Sequence, residues 1–310
     1  MPILKLKPAC KDYLWGGERL RNEYYIASNK HPLAEAWMLS CHPDGPSIIQ
    51  NEPFNGMSLA DYIRIQGREI LGSDGIIFED FPILIKLIDA RENLSIQVHP
   101  SNLFAMKNEG QYGKTELWYI LEADPGAFLY YGFQHEITPE EFTRRIRDNT
   151  LTEVLNAVRV KRGDVFFITP GTLHAIGKGI VLAEIQQNSN LTYRVFDYGR
   201  LDKDGRSRTL HVEKALKVTH LCPPRTDWDF GRHLARCQYF TTDCFEGPFR
   251  DVCDEESFTS FLILSGNGEI DCGREHMSMR KGESLFLPAG SGAYCVTGNC
   301  ALLQTRVGTI

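Results

Sequence analysis

The 310-residue sequence predicts a mainly β protein made of two barrel- or sandwich-type units, with a helical insertion in the first. Three observations carry that reading. Segments 83–88, 94–98, 117–121, 165–168, 181–185 and 192–196 are short, rich in β-branched or aromatic residues, and bounded by Gly, Pro, Asp or Asn. Such residues fit a pleated surface, and many short strands with frequent turns indicate a barrel or sandwich.

The second observation is a weak internal repeat. Residues 163–174 resemble residues 282–293, and residues 117–121 resemble residues 260–264. Thr259 falls where the first copy has Glu116, and Ala293 where it has His174. The second copy is therefore expected to keep the fold without the chemistry. Pro223 and Pro224 mark a break, because consecutive prolines resist both helix and central strand. The expected units are residues 1–225, carrying the chemistry, and residues 226–310.

Helical punctuation is the third observation. Ser58 with Asp61 three residues on reads as a helix start, and Thr138, Pro139, Glu140 and Glu141 form a capping box with proline at the first helical position. The second signal predicts a helical arm over about 138–158, burying Phe142, Ile146, Leu151, Val154 and Leu155.

A net charge of −6 argues against nucleic acid or an anionic membrane as partner, since both require a sustained basic face. A small phosphorylated molecule needs only a few local cations. Residues 1–17 lack the apolar core of a signal peptide, and the most apolar stretch, 81–88, is short and interrupted by Lys86. Nine cysteines without a paired spacing suit reduced thiols, so the expected compartment is the cytoplasm.

Chemistry concentrates in three places. Along residues 93–100, alternation puts Leu94, Ile96 and Val98 on one face and Ser95, Gln97 and His99 on the other. Glu116 and Trp118 share a strand face that Lys114 can join, and a charged pair leading into an apolar strand is costly to bury without partners. Pro170 and Gly171 build a tight turn that aims His174 inward. Singly, each has a bland explanation: a solvated strand face, a strand-end ion pair, a core histidine. Together, Gln97, His99, Glu116 and His174 offer an amide oxygen, two imidazoles and a carboxylate, a set that suits Zn²⁺ with a position left for substrate.

The same stretches carry a family resemblance. Ser95-Ile-Gln-Val-His-Pro100, Gly113-Lys-Thr-Glu-Leu-Trp-Tyr119, Pro170-Gly-Thr-Leu-His-Ala175 and Thr192-Tyr-Arg-Val-Phe-Asp-Tyr-Gly-Arg200 resemble, in order, motifs of the type I mannose-6-phosphate isomerases. Residues 13–17, 35–38 and 210–215 resemble further stretches of the short bacterial branch. The resemblance implies two cupin-type (jelly-roll) barrels, and one Zn²⁺ per chain held by Gln97, His99, Glu116 and His174. It implies Arg194 as the active-site arginine, with Lys86, Ser95, Lys114 and Glu184 at pocket positions. Lys114 is preferred over Lys86 and Glu184 as the general base. The implied reaction interconverts mannose 6-phosphate and fructose 6-phosphate through an enediol, with a phosphorylated sugar as the only partner of a monomer or weak homo-oligomer. Two departures stand out: Gly113-Lys-Thr-Glu116 replaces the His-Lys-Pro-Glu of larger members, and Asn190 stands where they carry aspartate. An amide does not titrate, so Asn190 cannot replace a base.

Two other functions share this barrel. A non-haem iron cupin oxygenase would need an imidazole where Gln97 stands. A sugar-phosphate-binding cupin without turnover is favoured by Asn190 alone. Iron content with oxygen consumption separates the first, and an isomerase assay the second.

Overall fold

The computed structural model describes residues 1–201 and 205–309, arranged mainly as antiparallel β-structure in three sheets. A six-stranded sheet runs in the order Val165–Ile168, Glu116–Ala123, Ile180–Gln187, Ile83–Ala90, Glu35–Leu39, Ala9–Lys11. A five-stranded sheet runs Tyr193–Phe196, Ile96–Val98, His174–Ala175, Phe128–Phe133, Leu155–Arg159. The third, nine-stranded, is dominated by the long strands Thr259–Cys272 and Gly292–Arg306. All three are open in their strand order rather than closed by hydrogen bonds into barrels.

The first two sheets face each other. Trp118, Ile120, Ile168 and Leu182 of the six-stranded sheet share one buried cluster with Leu129 and Tyr131 of the five-stranded sheet. Behind the five-stranded sheet, Ile96, Val98, Leu173, Tyr193 and Val195 pack on Phe142 and Ile146. The strand bearing Gln97 is thus pinned by its apolar face while its polar face is free to work.

Each expected strand segment is present, with ends shifted by up to two residues; 94–98 shortens to Ile96–Val98 and 117–121 lengthens to Glu116–Ala123. Both helix starts are also present. Ser58 Oγ accepts from Asp61 N at 3.0 Å, and Thr138 Oγ1 from Glu141 N at 3.1 Å. The arm over 138–158 is corrected: the helix is Pro139–Arg147, followed by a 3₁₀ turn at Leu151–Glu153 and the strand Leu155–Arg159. Asn149 ends it by turning left-handed (φ 57°), and the remaining residues gain ladder bonds against Phe128–Phe133. Leu151, Val154 and Leu155 are buried all the same, because a turn and a strand present them to the same core.

The repeat is visible in the pairing itself. Ile168 opposes Glu116 and Phe167 opposes Leu117; at matching positions Leu287 opposes Thr259 and Phe286 opposes Ser260. The two halves are not separate beads on the chain, however. Leu4–Lys7 pairs with Ser284–Leu287, and one apolar cluster joins Leu4, Leu39 and Leu87 to Phe258, Phe286 and Leu303. No helix among the described residues is long and apolar enough to cross a membrane.

Candidate active site

Four strands of the six-stranded sheet put a row of large polar residues side by side. Trp37 opposes Lys86, Lys86 opposes Glu184, and Glu184 opposes Trp118, so the register alone fixes their order. Glu184 lies at the centre of a buried network. It accepts from Lys86 Nζ at 2.9 Å and Trp118 Nε1 at 3.0 Å, with Lys114 Nζ 3.4 Å away. Glu35 closes the row by accepting from Trp37 Nε1 at 2.7 Å and lying 3.9 Å from Lys86. Burial opposes ionisation of Glu184, yet the two ammonium groups and their hydrogen bonds outweigh it and hold the carboxyl below its ordinary range. Lys86 is the converse: burial disfavours its charge, but Glu184 and Glu35 raise it above the usual lysine value. Lys86 is thus fixed as a cation.

The five-stranded sheet brings the imidazoles. Gln97 stands between His174 on one neighbouring strand and Arg194 on the other. His99 lies two positions beyond Gln97, on the same face. His99 Nδ1 donates to the Leu191 carbonyl at 2.8 Å, and His174 Nδ1 to the Thr172 carbonyl at 2.9 Å. Those bonds leave each Nε2 as a lone pair facing inward, the usual arrangement of a metal-binding histidine. Burial first, then nearby Lys114, pulls His99 far below its ordinary value; burial likewise takes His174 to about 4. Both rings are neutral at physiological pH.

Glu116 comes from the opposite sheet to meet them. Its Oε1 is 3.3 Å from His174 Nε2, its Oε2 is 3.7 Å from His99 Nε2, and all three side chains are essentially inaccessible to solvent. Burial raises the carboxyl, with Lys114, 2.7 Å from Oε2, acting against it. His99 Nε2 and Glu116 Oε1 have no hydrogen-bond partner, and Oε2 has only Lys114. Unsatisfied buried acceptors are expensive, and their convergence with His174 Nε2 on one point is the signature of a cation site. Ligand atoms about 2.0–2.1 Å from a tetrahedral ion are themselves roughly 3.4 Å apart, close to what the cluster already shows. Gln97 Nε2 is 3.5 Å from His174 Nε2; a half-turn of the amide presents its oxygen instead. The residues fit a metal.

A cavity of about 260 Å³ opens beside this cluster, lined by Lys86, Ser95, Gln97, Lys114, Glu184 and Arg194 among others. The structure therefore brings every residue singled out from the sequence into one place. Arg194 donates to Ser95 Oγ at 3.3 Å and to the Thr209 carbonyl at 3.1 Å. Tyr13, Trp15, Glu35, Trp37, Thr192 and Arg208 also line the cavity, and sequence reasoning did not place them there. Glu35 and Trp37 could have been found, since they alternate onto one strand face. Arg208 gave no such signal.

Both departures find a physical setting. A Cβ on Gly113 would lie 2.4 Å from the Pro100 carbonyl oxygen, so the backbone leaves no room for a histidine there. Asn190 lines the cavity and donates its amide to the carboxylate of Asp44, which reaches it from another loop.

The family model of the type I phosphomannose isomerase catalytic domain matches residues 3–121, and that of the mannose-6-phosphate isomerase cupin domain matches residues 232–307. A mannose-6-phosphate isomerase of Streptococcus mutans is 36% identical over 304 residues, 94% of each chain. The crystal structure of mannose 6-phosphate isomerase from Bacillus subtilis superposes with a TM-score of 0.90 at 32% identity, covering 98% of this chain and 99% of that one. The apo form of the enzyme from Salmonella typhimurium shares the fold, with a TM-score of 0.77 at 17% identity over the whole of both chains.

Proposed function

Since the chain belongs to the type I phosphomannose isomerase family, we propose that it interconverts D-mannose 6-phosphate and D-fructose 6-phosphate through an enediol, with one Zn²⁺ held by Gln97, His99, Glu116 and His174. The observation that carries this reading is the convergence of His99 Nε2, His174 Nε2 and the Glu116 carboxylate, all buried, on one point beside a polar cavity. Bound Zn²⁺ supplies the Lewis acidity that makes a proton beside a carbonyl removable. The rest falls to side chains.

Lys114 is the residue we assign to move the proton between C1 and C2, because it lies against Glu116 and lines the cavity. Lys86, kept charged by Glu184 and Glu35, and Glu184, kept ionised by two lysines, are poor proton shuttles and good hydroxyl partners. Ser95, tied to Arg194, belongs with them. Arg194 opposes Gln97 in register and supplies a permanent cation for charge that develops on substrate oxygen.

In this reading residues 1–225 form the catalytic cupin-type jelly roll, and residues 226–310 a degenerate one whose Thr259 and Ala293 supply no ligands. The repeated strand register supports it. The nine cysteines are unpaired, which favours a reducing cytoplasm.

Metal analysis combined with a coupled isomerase assay on mannose 6-phosphate tests the proposal. One zinc per chain is expected, since His99, Glu116 and His174 form the one such group among the described residues. Two tightly held ions, one of them lost on changing residues within 259–293, would contradict it. Arg194→Ala should keep the metal and lose about 10²-fold in kcat if the guanidinium acts like an oxyanion-hole donor, with lysine restoring only part. Near wild-type kcat and KM in Arg194→Ala would remove it from the site.

A further inference from the structure

The cavity holds a second arginine that the reaction at C1 and C2 does not use. We infer that Arg208, positioned by Asp197, binds the phosphate of the substrate, so that Arg194 serves the reacting end and Arg208 the charged tail. The inference rests on the isomerase reading of the cavity and names the residue behind its preference for a phosphorylated sugar.

Position is the first argument. Tyr193 opposes Val98, Arg194 opposes Gln97 and Phe196 opposes Ile96, so the chain from 193 onward runs away from His99. Asp197 follows three positions after Arg194, roughly 10 Å of extended chain. In an open hexose 6-phosphate the reacting carbons and the phosphate sit at opposite ends. A cation anchored by Asp197, beyond the end of the strand that leads away from His99, and lining the same cavity, stands where the tail must go.

Charge is the second. Asp197 is buried and is shared by two guanidiniums: Arg200 Nη2 at 2.6 Å, and Arg208 through Nε at 2.7 Å and Nη2 at 2.5 Å. One carboxylate cannot neutralise both, so the group keeps a positive charge. The two bonds to Asp197 also fix the plane of the Arg208 guanidinium, which makes it a preorganised partner for a planar edge of phosphate. Arg194 donates to the carbonyl of Thr209, the residue next to Arg208, and to neutral Ser95 Oγ. Lys86 and Lys114 face three carboxylates, Glu184, Glu35 and Glu116, whereas Arg200 and Arg208 share the single carboxylate of Asp197 and the bonds of Arg194 among the described residues go to neutral oxygens. A dianion would balance the excess positive charge.

The experiment compares wild type, Arg208→Gln, Arg208→Lys and Asp197→Asn, in the metal-loaded protein, by kinetics on mannose 6-phosphate and by calorimetric titration with inorganic phosphate. Arg208→Gln should raise KM, and weaken inorganic phosphate, by about tenfold or more, the scale of a lost charge-assisted pair. Arg208→Lys should recover part of both, and Asp197→Asn should move both in the same direction by less, with metal content unchanged throughout. Unchanged KM and phosphate affinity in a folded Arg208→Gln would overturn the inference. A wild type that failed to isomerise mannose 6-phosphate would sink the isomerase reading instead, and the phosphate titration would still decide the role of Arg208.

Discussion

His174→Ala should give a folded protein that binds no zinc and has lost isomerase activity by about 10³-fold or more. The size follows from the several kcal/mol of charge stabilisation that a bound cation supplies, at tenfold in rate for about each 1.4 kcal/mol. The fold should survive because His174 sits on a strand whose neighbours, Leu173 and Ala175, are held by apolar packing that involves no metal. Removing the ring also relieves a buried polar contact with Glu116, 3.3 Å away, rather than opening the core. Elemental analysis, circular dichroism and the coupled assay on one preparation check all three parts. Full activity in a protein shown to be free of metal would refute the zinc assignment, and chelation of the wild type should reproduce the loss.

Glu184→Gln should cost about 3–5 kcal/mol of stability, because it leaves the buried ammonium groups of Lys86 and Lys114 without the carboxylate between them. Shape is preserved, so the loss reports charge. Glu184→Gln combined with Lys86→Met should lose less than the sum of the two single changes, since removing both charges is far cheaper than stranding one. The pH dependence has a definite sign. The folded-state Glu184 carboxyl lies below its ordinary 4.5, so its contribution is present above that pH and is lost as pH falls through the folded value. Lys86 lies above its ordinary 10.5, so its contribution is present below that pH and fades as pH rises beyond it. The gap between wild type and Glu184→Gln, measured by urea unfolding of the metal-free proteins, should narrow as pH falls below 4.5. A gap that widened in acid would mean that Glu184 is not held ionised by the lysines.

Much of this was legible in the residues. Period-two alternation placed Gln97 and His99 together, a Pro-Gly turn aimed His174, and two capping signals began real helices, because each depends on neighbours within a few residues. The repeat between 163–174 and 282–293 foretold a matching strand register, since equal patterns of apolar and turn residues fold to equal ladders. The end of the helix after Arg147 was not legible: the apolar residues at 151, 154 and 155 suit a helical stripe and a turn-plus-strand equally well, and only the waiting edge of Phe128–Phe133 decided between them.

What the sequence determined by itself was the inventory and the local aim of the chemistry: which candidate ligands exist, and on which strand faces. Tertiary structure alone decided the rest, because it depends on residues far apart in the chain meeting across sheets. The tautomers of His99 and His174 are set by carbonyls at Leu191 and Thr172, and the charge of Lys86 by Glu184. Asn190 meets the carboxylate of Asp44, and Arg208 is turned toward the cavity by Asp197. Local pattern fixes where a side chain points; its protonation, its partners and the ligand it can hold are set by what packs opposite.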